Sequence, residues 1–407
     1  MNSKRKSRSV TPKKRGQLSS ASPARARSRG ASPSCKVDAE SGRKIKLELI
    51  NKALLSDPVD VATLRKLAIS HGGLLTDDIR RKAWPKLLNV NIFEIPSKPD
   101  ADVTSHRDYH QVVLDVNRSL RRFPPGMRDD QREVLQEQLI NIIVRVLLRN
   151  PQLHYYQGYH DICITFLLVV GQDISFALIE QLSTHHLRDF MDSTMDSTKH
   201  MLNYLLPIIG KANPELKEFM ERSDVGTIFA LAWLITWYGH VLSDFRSVVR
   251  LYDFFLACHP LMPVYLSSAI VLHREKEVLA GDCEMTYVHS LLSKIPQDLP
   301  FEHLISRAGD LFVQYPPSAL AKEAQLQYKQ SSTLSKHGEF EKTSLNQRPD
   351  TVLKQRRKQL AERRNQLTPN GIDQKDHSAI VKVAVWALTA SVGAALFAVL
   401  NTAAEWM

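Results

Sequence analysis

Residues 135–170 read LQEQLINIIVRVLLRNPQLHYYQGYHDICITFLLVV, and their pattern indicates a helical architecture. Both ends are rich in apolar residues at helical spacing, and the second end is apolar on nearly every side, as in a buried helix. Asn150-Pro151 ends the first helix, because the residue before a proline is disfavoured in the helical conformation. Between the two helices lies a polar, aromatic segment, residues 150–161, which is either a tight connection or a functional site.

The helical spacing continues on both sides of this stretch. Before it, apolar stripes predict helices over about residues 45–54, 79–88 and 109–122, the second with Thr76 or Asp77 as its N-cap. After it, further helices are predicted from residue 175 to residue 314. No stretch shows the sustained two-residue alternation of a strand. We therefore predict the all-α class, with one multi-helix domain over residues 45–317.

The positive charge of the chain is concentrated in its N-terminal segment. The formal net charge is +11, and residues 1–44 alone contain 13 lysines and arginines against two acidic residues. This segment is rich in Ser and Pro and has almost no apolar periodicity, so it is predicted to be a disordered tail. The basic charge therefore does not indicate a folded nucleic-acid-binding face. A membrane-surface or regulatory role for the tail remains an alternative.

The C-terminal quarter of the chain contains a long uncharged stretch. Residues 318–382 are polar and charged and are predicted to be a linker, partly helical. Residues 383–404, VAVWALTASVGAALFAVLNTAA, contain no charged residue, and about 22 residues suffice to span a bilayer core. Lys375 and Lys382 precede this stretch and Glu405 follows it, which favours an orientation with the N-terminal bulk in the cytosol. We therefore predict a tail-anchored, single-pass membrane protein.

The cysteines and histidines give little support for a metal site. The four cysteines are far apart and form no CxxC pair, so neither a zinc site nor a disulfide framework is indicated. The doublet His160-Asp161 suggests one alternative, a metal-dependent phosphohydrolase of the HD type. That alternative would require His110, the pair His185-His186 and Asp253 to join the doublet, and no further ligand spacing supports it.

Two polar residues are candidates for chemistry. Arg118 follows Val112 and Asp115 at three-residue intervals, so all three project from one face of a helix. A carboxylate one turn earlier can orient a guanidinium, although Arg118 could equally be a surface arginine. Gln157 has an amide that both donates and accepts hydrogen bonds, which suits the orientation of a water molecule. The following Gly158 permits a close backbone approach, but the glutamine could also merely cap a helix.

These segments together resemble the TBC domain of Rab GTPase-activating proteins, over about residues 60–315. The chain has 79-IRRKAW-84, Val112-x-x-Asp115-x-x-Arg118, Tyr156-Gln157-Gly158 and 250-RLYDFFL-256 in the order of the family's motifs. The second of these resembles the family's IxxDxxR motif and the third its YxQ-type motif. Two residues depart from the pattern: Tyr156 stands where a cysteine is usual, and Tyr252 where a tryptophan is usual.

The resemblance implies a function that is completed by a partner. Arg118 would be an arginine finger, Gln157 would orient the attacking water, and Asp115 and Arg80 would support Arg118 and its helix. The partner would be a GTP-bound Rab GTPase, which carries GTP and Mg²⁺, so this chain would need no cofactor and would activate hydrolysis without nucleotide chemistry of its own. The expected location is an early secretory membrane, the endoplasmic reticulum or the Golgi. A membrane-anchored scaffold that binds a Rab without catalysis is the alternative.

Overall fold

The computed structural model describes residues 33–95, 102–119, 127–324 and 331–367, with side chains from residue 40 to residue 363. Every regular element in these ranges is helical, so the predicted all-α class is confirmed for them. In chain order the α-helices are α1 Pro33–Leu55, α2 Val61–Ile69, α3 Asp77–Leu87, α4 Tyr109–Arg118, α5 Asp129–Arg149, α6 Tyr159–Val170, α7 Gln172–Thr184, α8 Asp196–Leu202, α9 Leu205–Ala212, α10 Pro214–Arg222, α11 Leu231–Ile235, α12 Phe245–Ala257, α13 Met262–His273, α14 Glu275–Leu279, α15 Met285–Ser293, α16 Phe301–Gln314, α17 Pro317–Leu320, α18 Ser332–Ser344 and α19 Asp350–Leu367. The 3-10 turns Val103–Ser105, Arg188–Met191 and Ile228–Ala230 lie between helices of these ranges.

The chain divides into two units between Lys44 and Ile45, within α1. In the first unit, α1 already begins at Pro33, whereas composition alone had placed residues 33–44 in a disordered tail. The side chains of Lys44 and Glu40 lie one helical turn apart, with a nitrogen–oxygen distance of 3.4 Å. Such a pair stabilises an exposed helix by only a few tenths of a kcal/mol. The tail residues before Pro33 lie outside the described residues.

In the second unit, α13 is buried on nearly every side and packs against α9 and α16. Two serines are tolerated inside this apolar helix because their hydroxyls find partners within it. Ser267 donates to the carbonyl of Pro263 at 2.9 Å, and Ser268 donates to that of Val264 at 3.0 Å. The hydroxyls of both serines are therefore paired inside this buried helix.

An aromatic cluster joins α3, α6 and α12. The ring of Phe166 lies 5.2 Å from that of Trp84 and 5.5 Å from that of Tyr252, measured between centroids. Tyr252 thus keeps the aromatic packing of the position where the resembled family usually has tryptophan.

At the start of α3, Thr76 is the N-cap, and its hydroxyl accepts a hydrogen bond from the backbone N–H of Ile79.

Residues 331–350 pack against other helices of the second unit, which their polar composition did not predict. They include α18, whose Leu334, His337 and Phe340 are buried at helical spacing, and they end on Asp350, which pairs with Lys86. None of the helices in the described part of the chain is long and apolar enough to cross a membrane. The predicted span over residues 383–404 lies outside the described residues.

Candidate functional site

Arg118 and Gln157, the two residues predicted to carry the chemistry, line the same open cleft. The cleft has a volume of about 470 Å³. Its walls come from the end of α4, the turn before α6, the 3-10 turn Arg188–Met191 and the region around α11. Apolar side chains of Phe190, Met195 and Ile235 also face it. The structure therefore brings together two residues that the sequence placed on separate elements.

Arg118 is the last residue of α4, and 68% of its side chain is exposed. A guanidinium nitrogen of Arg118 lies 3.8 Å from Oδ1 of Asp115, one turn earlier on the same helix. Only 1% of the Asp115 side chain is exposed, and Gln111 donates to the same oxygen at 3.0 Å. Asp115 is thus a buried, hydrogen-bonded carboxylate beside an exposed arginine. Asp115 can therefore orient the Arg118 side chain while the guanidinium stays accessible to a bound partner.

Gln157 is exposed in the turn that leads into α6. The next residue, Gly158, has φ of +108°, a conformation that glycine adopts without steric cost. A Cβ at Gly158 would also lie 2.9 Å from Cγ2 of Thr236, so the turn packs closely against the end of α11. The amide of Gln157 therefore projects from a backbone that is held on its inner side.

Tyr155 connects the two halves of the site, and the motif analysis did not single it out. Its hydroxyl donates to Oδ2 of Asp115 at 3.0 Å and lies 3.1 Å from Nδ1 of His160. Burial, together with the nearby Asp115 carboxylate, raises the pKa of the Tyr155 hydroxyl, so the group stays a donor. A single side chain thus ties the segment of Gln157 to the carboxylate beside Arg118. The available signal was Asp115 itself, since a carboxylate on the buried face of a helix needs a donor.

The polar contacts continue from Tyr155 through His160 and Asp161 to His240, and the last three residues line the cleft. Nε2 of His160 lies 3.7 Å from Oδ1 of Asp161, and Oδ2 of Asp161 lies 3.1 Å from Nδ1 of His240. His160 and Asp161 are buried, whereas His240 is mostly exposed and lines the cleft. The His160-Asp161 doublet therefore supports the walls of the cleft.

Tyr156 occupies the position where the resembled family usually has cysteine, and it adds a contact that a cysteine could not make. Its hydroxyl donates to the carbonyl of Ile235 at 2.9 Å. Its ring packs 5.6 Å from that of Tyr159 and 6.1 Å from that of Phe190, between centroids. The substitution therefore ties the segment of Gln157 more firmly to α11 and to the 3-10 turn.

Arg80 requires a correction. It was predicted to support Arg118 and its helix, but its guanidinium is directed elsewhere. It donates to both carboxylate oxygens of Asp253 on α12, at 2.9 to 3.2 Å, and to Asp77 at 2.8 Å. Arg80 therefore stabilises the junction of α3 and α12, which is part of the framework.

The residues that a metal centre of the HD type would need lie in different environments. His160 and Asp161 are in the cleft, Asp253 is bound by Arg80, and His185 with His186 packs beside α18. Within the described ranges, no three His, Cys, Asp or Glu side chains are arranged to hold a metal ion. The sequence alternative that joined these residues has no geometric basis in the structure.

Comparison with known proteins gives this arrangement a context. The family model described as the Rab-GTPase-TBC domain matches residues 77–279. TBC1 domain family member 20 of Homo sapiens is 61% identical over 373 residues, which cover 91% of this chain and 92% of that protein. GTPase-activating protein gyp10 of Schizosaccharomyces pombe is 33% identical over 285 residues, which cover 68% of this chain and 73% of that protein.

A solved structure shows the same fold. The crystal structure of the Ypt/Rab-GAP domain of Gyp1p superposes with a TM-score of 0.55 and 14% sequence identity. The superposition covers 67% of this chain and 99% of that one. At this identity the likeness concerns the arrangement of helices, and Arg118 and Gln157 lie within the region that the family model matches.

Proposed function

This chain belongs to the Rab-GTPase-TBC domain family, and we propose that it accelerates GTP hydrolysis by a Rab GTPase with Arg118 and Gln157 supplied in trans. The observation that carries the proposal is the position of both side chains in one cleft, joined through Tyr155 and Asp115. Their family context supports it, since one matched relative is named as a GTPase-activating protein. The chain would act as an activator that completes the active site of its partner.

Arg118 fits the role of the arginine finger. During phosphoryl transfer, negative charge is spread over the oxygens of the transferring group, and a guanidinium placed beside them stabilises that charge. An arginine supplied in trans increases the rate by about 10³–10⁵-fold, which is roughly 4–7 kcal/mol of barrier. Arg118 is exposed before docking, so it can move into the partner's site when the cleft is covered.

Gln157 fits the role of the water-orienting group. Its amide oxygen can accept a hydrogen bond from an O–H of the attacking water while its N–H donates to a neighbouring oxygen. Positioning of this kind needs a rigid base, which the close packing of Gly158 on Thr236 and the anchored ring of Tyr156 provide. GTP and Mg²⁺ would arrive on the Rab, and the sequence has no GxxxxGK[ST] phosphate loop of its own.

A single-turnover hydrolysis assay on a panel of GTP-loaded Rabs tests this function. We expect the wild-type chain to accelerate hydrolysis by at least one Rab, and Gln157→Ala to lower the accelerated rate by about 10²-fold, the usual cost of one transition-state hydrogen-bonding group. Gln152→Ala is the matched control, because Gln152 is an exposed glutamine in the same connection but does not line the cleft.

The non-catalytic scaffold predicts a different outcome. A scaffold would bind GTP-loaded Rab and Rab loaded with a transition-state analogue, GDP and aluminium fluoride, with equal affinity. An activator binds the analogue complex more tightly, because its interactions are strongest in the transition state. Full acceleration by Gln157→Ala would remove the glutamine from the mechanism, and equal affinities would favour the scaffold.

We also propose that residues 383–404 anchor this activity to an early secretory membrane with the domain in the cytosol. The support is the uncharged length of the stretch and the lysines that precede it. Deletion of residues 383–407 is expected to move the protein from the membrane fraction to the soluble fraction of cells while leaving hydrolysis in solution unchanged. Membrane retention after the deletion would transfer the anchoring role to the basic N-terminal segment.

A further inference from the structure

Residues 331–350, here called the strap, lie beyond the part of the chain that the family model matches. The strap begins at Ser331, whose hydroxyl caps α18 by accepting from the backbone N–H of Leu334 at 3.0 Å. Toward its other end, the backbone carbonyl of Gln347 accepts from the N–H of Val59 at 2.9 Å, and Asp350 pairs with Lys86 at 2.7 Å. The strap is therefore fastened to the domain at both ends.

The first end of the strap is fastened to Asp189, a carboxylate with 1% of the residue exposed. The hydroxyl of Ser331 donates to Oδ2 of Asp189, and the backbone N–H of Thr333 donates to Oδ1 at 3.3 Å. The hydroxyl of Thr333 in turn donates to the carbonyl of His185 at 2.9 Å. Burial raises the pKa of the Asp189 carboxyl above its usual value, and the hydrogen bonds from Ser331 and Thr333 act in the opposite direction.

Asp189 belongs to the 3-10 turn Arg188–Met191, which forms one wall of the catalytic cleft. Phe190, the next residue, lines the cleft, and its ring stands edge-on to that of Tyr156. The carbonyl of Met191 accepts from the backbone N–H of His154 at 2.9 Å. The turn thus contacts the segment that carries Gln157 at two points, one on each side of Tyr155.

Aromatic packing also holds α18 against His185, which lies between the end of α7 and the same turn. The ring of His185 stacks on that of Phe340 with 4.3 Å between centroids, and Nε2 of His185 lies 3.3 Å from Nδ1 of His337. Burial lowers the pKa of both His185 and His337 to about 4, so both rings are neutral near pH 7 and pack as uncharged aromatic groups. The strap is therefore held by stacking as well as by the Asp189 hydrogen bonds.

From these contacts we infer that the strap is a positioning element of the catalytic cleft. By fixing Asp189, it holds Phe190 and Met191 behind the segment that presents Gln157. Ser331 and Thr333 are positioning residues that act through the turn, without contact to the Rab or the nucleotide. This inference rests on the proposed function, because it concerns the rate of the stimulated hydrolysis. Its physical basis is that a displacement of about 1 Å in a catalytic group lowers a rate by roughly 10²-fold.

The test is the double variant Ser331→Ala, Thr333→Val in the full chain. It removes the hydroxyl that donates to Asp189 and the hydroxyl that donates to the carbonyl of His185, and it leaves the backbone N–H of Thr333 on Asp189. At saturating activator, we expect the single-turnover rate to fall about tenfold, which corresponds to a displacement of Gln157 by a fraction of an ångström. The half-saturating concentration of the activator should not change. Ser331→Thr keeps a hydroxyl and should retain most of the rate. Thr343→Val is the matched control, because it removes a hydroxyl of the strap at the other end of α18, where Thr343 accepts a hydrogen bond from Asn89.

The readouts separate the possible roles of the strap. A double variant that melts at a lower temperature but keeps the wild-type rate well below that temperature has lost only stability, and this would overturn the inference. An increase in the half-saturating concentration at unchanged maximal rate would place the strap in Rab binding and would also overturn it. If the wild-type chain accelerates no Rab, the proposed function itself fails. If the wild type and the double variant are equally active, only the positioning role of the strap fails.

Discussion

Replacing Arg118 by alanine is expected to lower the Rab-stimulated rate of hydrolysis by about 10³-fold or more, the lower end of the range for an arginine supplied in trans. The fold should survive, because the side chain is 68% exposed and its guanidinium lies 3.8 Å from Oδ1 of Asp115. Ion pairs of this exposed type contribute at most about 1 kcal/mol to stability. The measurement is single-turnover hydrolysis with excess activator, alongside a melting curve of the variant.

A lysine at the same position distinguishes charge from geometry. Arg118→Lys keeps the positive charge but loses the planar fork that can donate two parallel hydrogen bonds to phosphate oxygens. We therefore expect its rate to lie between those of the wild type and Arg118→Ala. Arg128→Ala is the matched control, since Arg128 is equally exposed on the next described segment and does not line the cleft. Full acceleration by Arg118→Ala would refute the finger assignment.

The helices around the cleft could be predicted because apolar spacing determines them locally. The apolar pattern of residues 135–149 does not reach the start of α5, which begins at Asp129. Two acidic residues, Asp129 and Asp130, lie in its first turn, where their negative charge stabilises the positive end of the helix dipole. Helix boundaries thus depend on polar residues that periodicity does not register, whereas the buried face was predicted from the sequence.

The pairing of Arg118 with Gln157 came from the family resemblance and not from spacing. Hydrogen bonds such as that of Tyr155 with Asp115 join residues 40 positions apart, and local sequence does not specify them. The strap was missed for a related reason. Much of its buried surface is polar, and the partners of Ser331, Thr333 and His337 are Asp189 and His185, which lie more than 140 residues earlier in the sequence. The role of Arg80 was misassigned because its partner, Asp253, lies on a distant helix.

Asp253 is the residue whose loss should cost the most stability. Its carboxylate is fully buried and accepts from Trp84 Nε1 at 2.8 Å, from the backbone N–H of Leu74 at 2.9 Å and from the Arg80 guanidinium. Burial disfavours the charged form of Arg80, but the carboxylates of Asp253 and Asp77 together outweigh that effect and raise the pKa of the guanidinium. The pair therefore holds two helices and the segment before α3 in one charge-assisted network.

In Asp253→Asn the side chain keeps its shape, but its N–H₂ group faces a donor whichever way the amide is turned. In one orientation that donor is Trp84 Nε1–H, and in the other the donors are the N–H groups of Leu74 and Arg80. The variant also leaves the Arg80 guanidinium without its buried partner, a change that costs about 3–5 kcal/mol. For a domain of this size that corresponds to a fall in melting temperature of roughly 10 °C. Asp77→Asn is the matched control, because Asp77 pairs with the same arginine but is 45% exposed, and it should cost at most about 1 kcal/mol. Equal melting temperatures for the two variants would show that the buried pair contributes no more than a surface one.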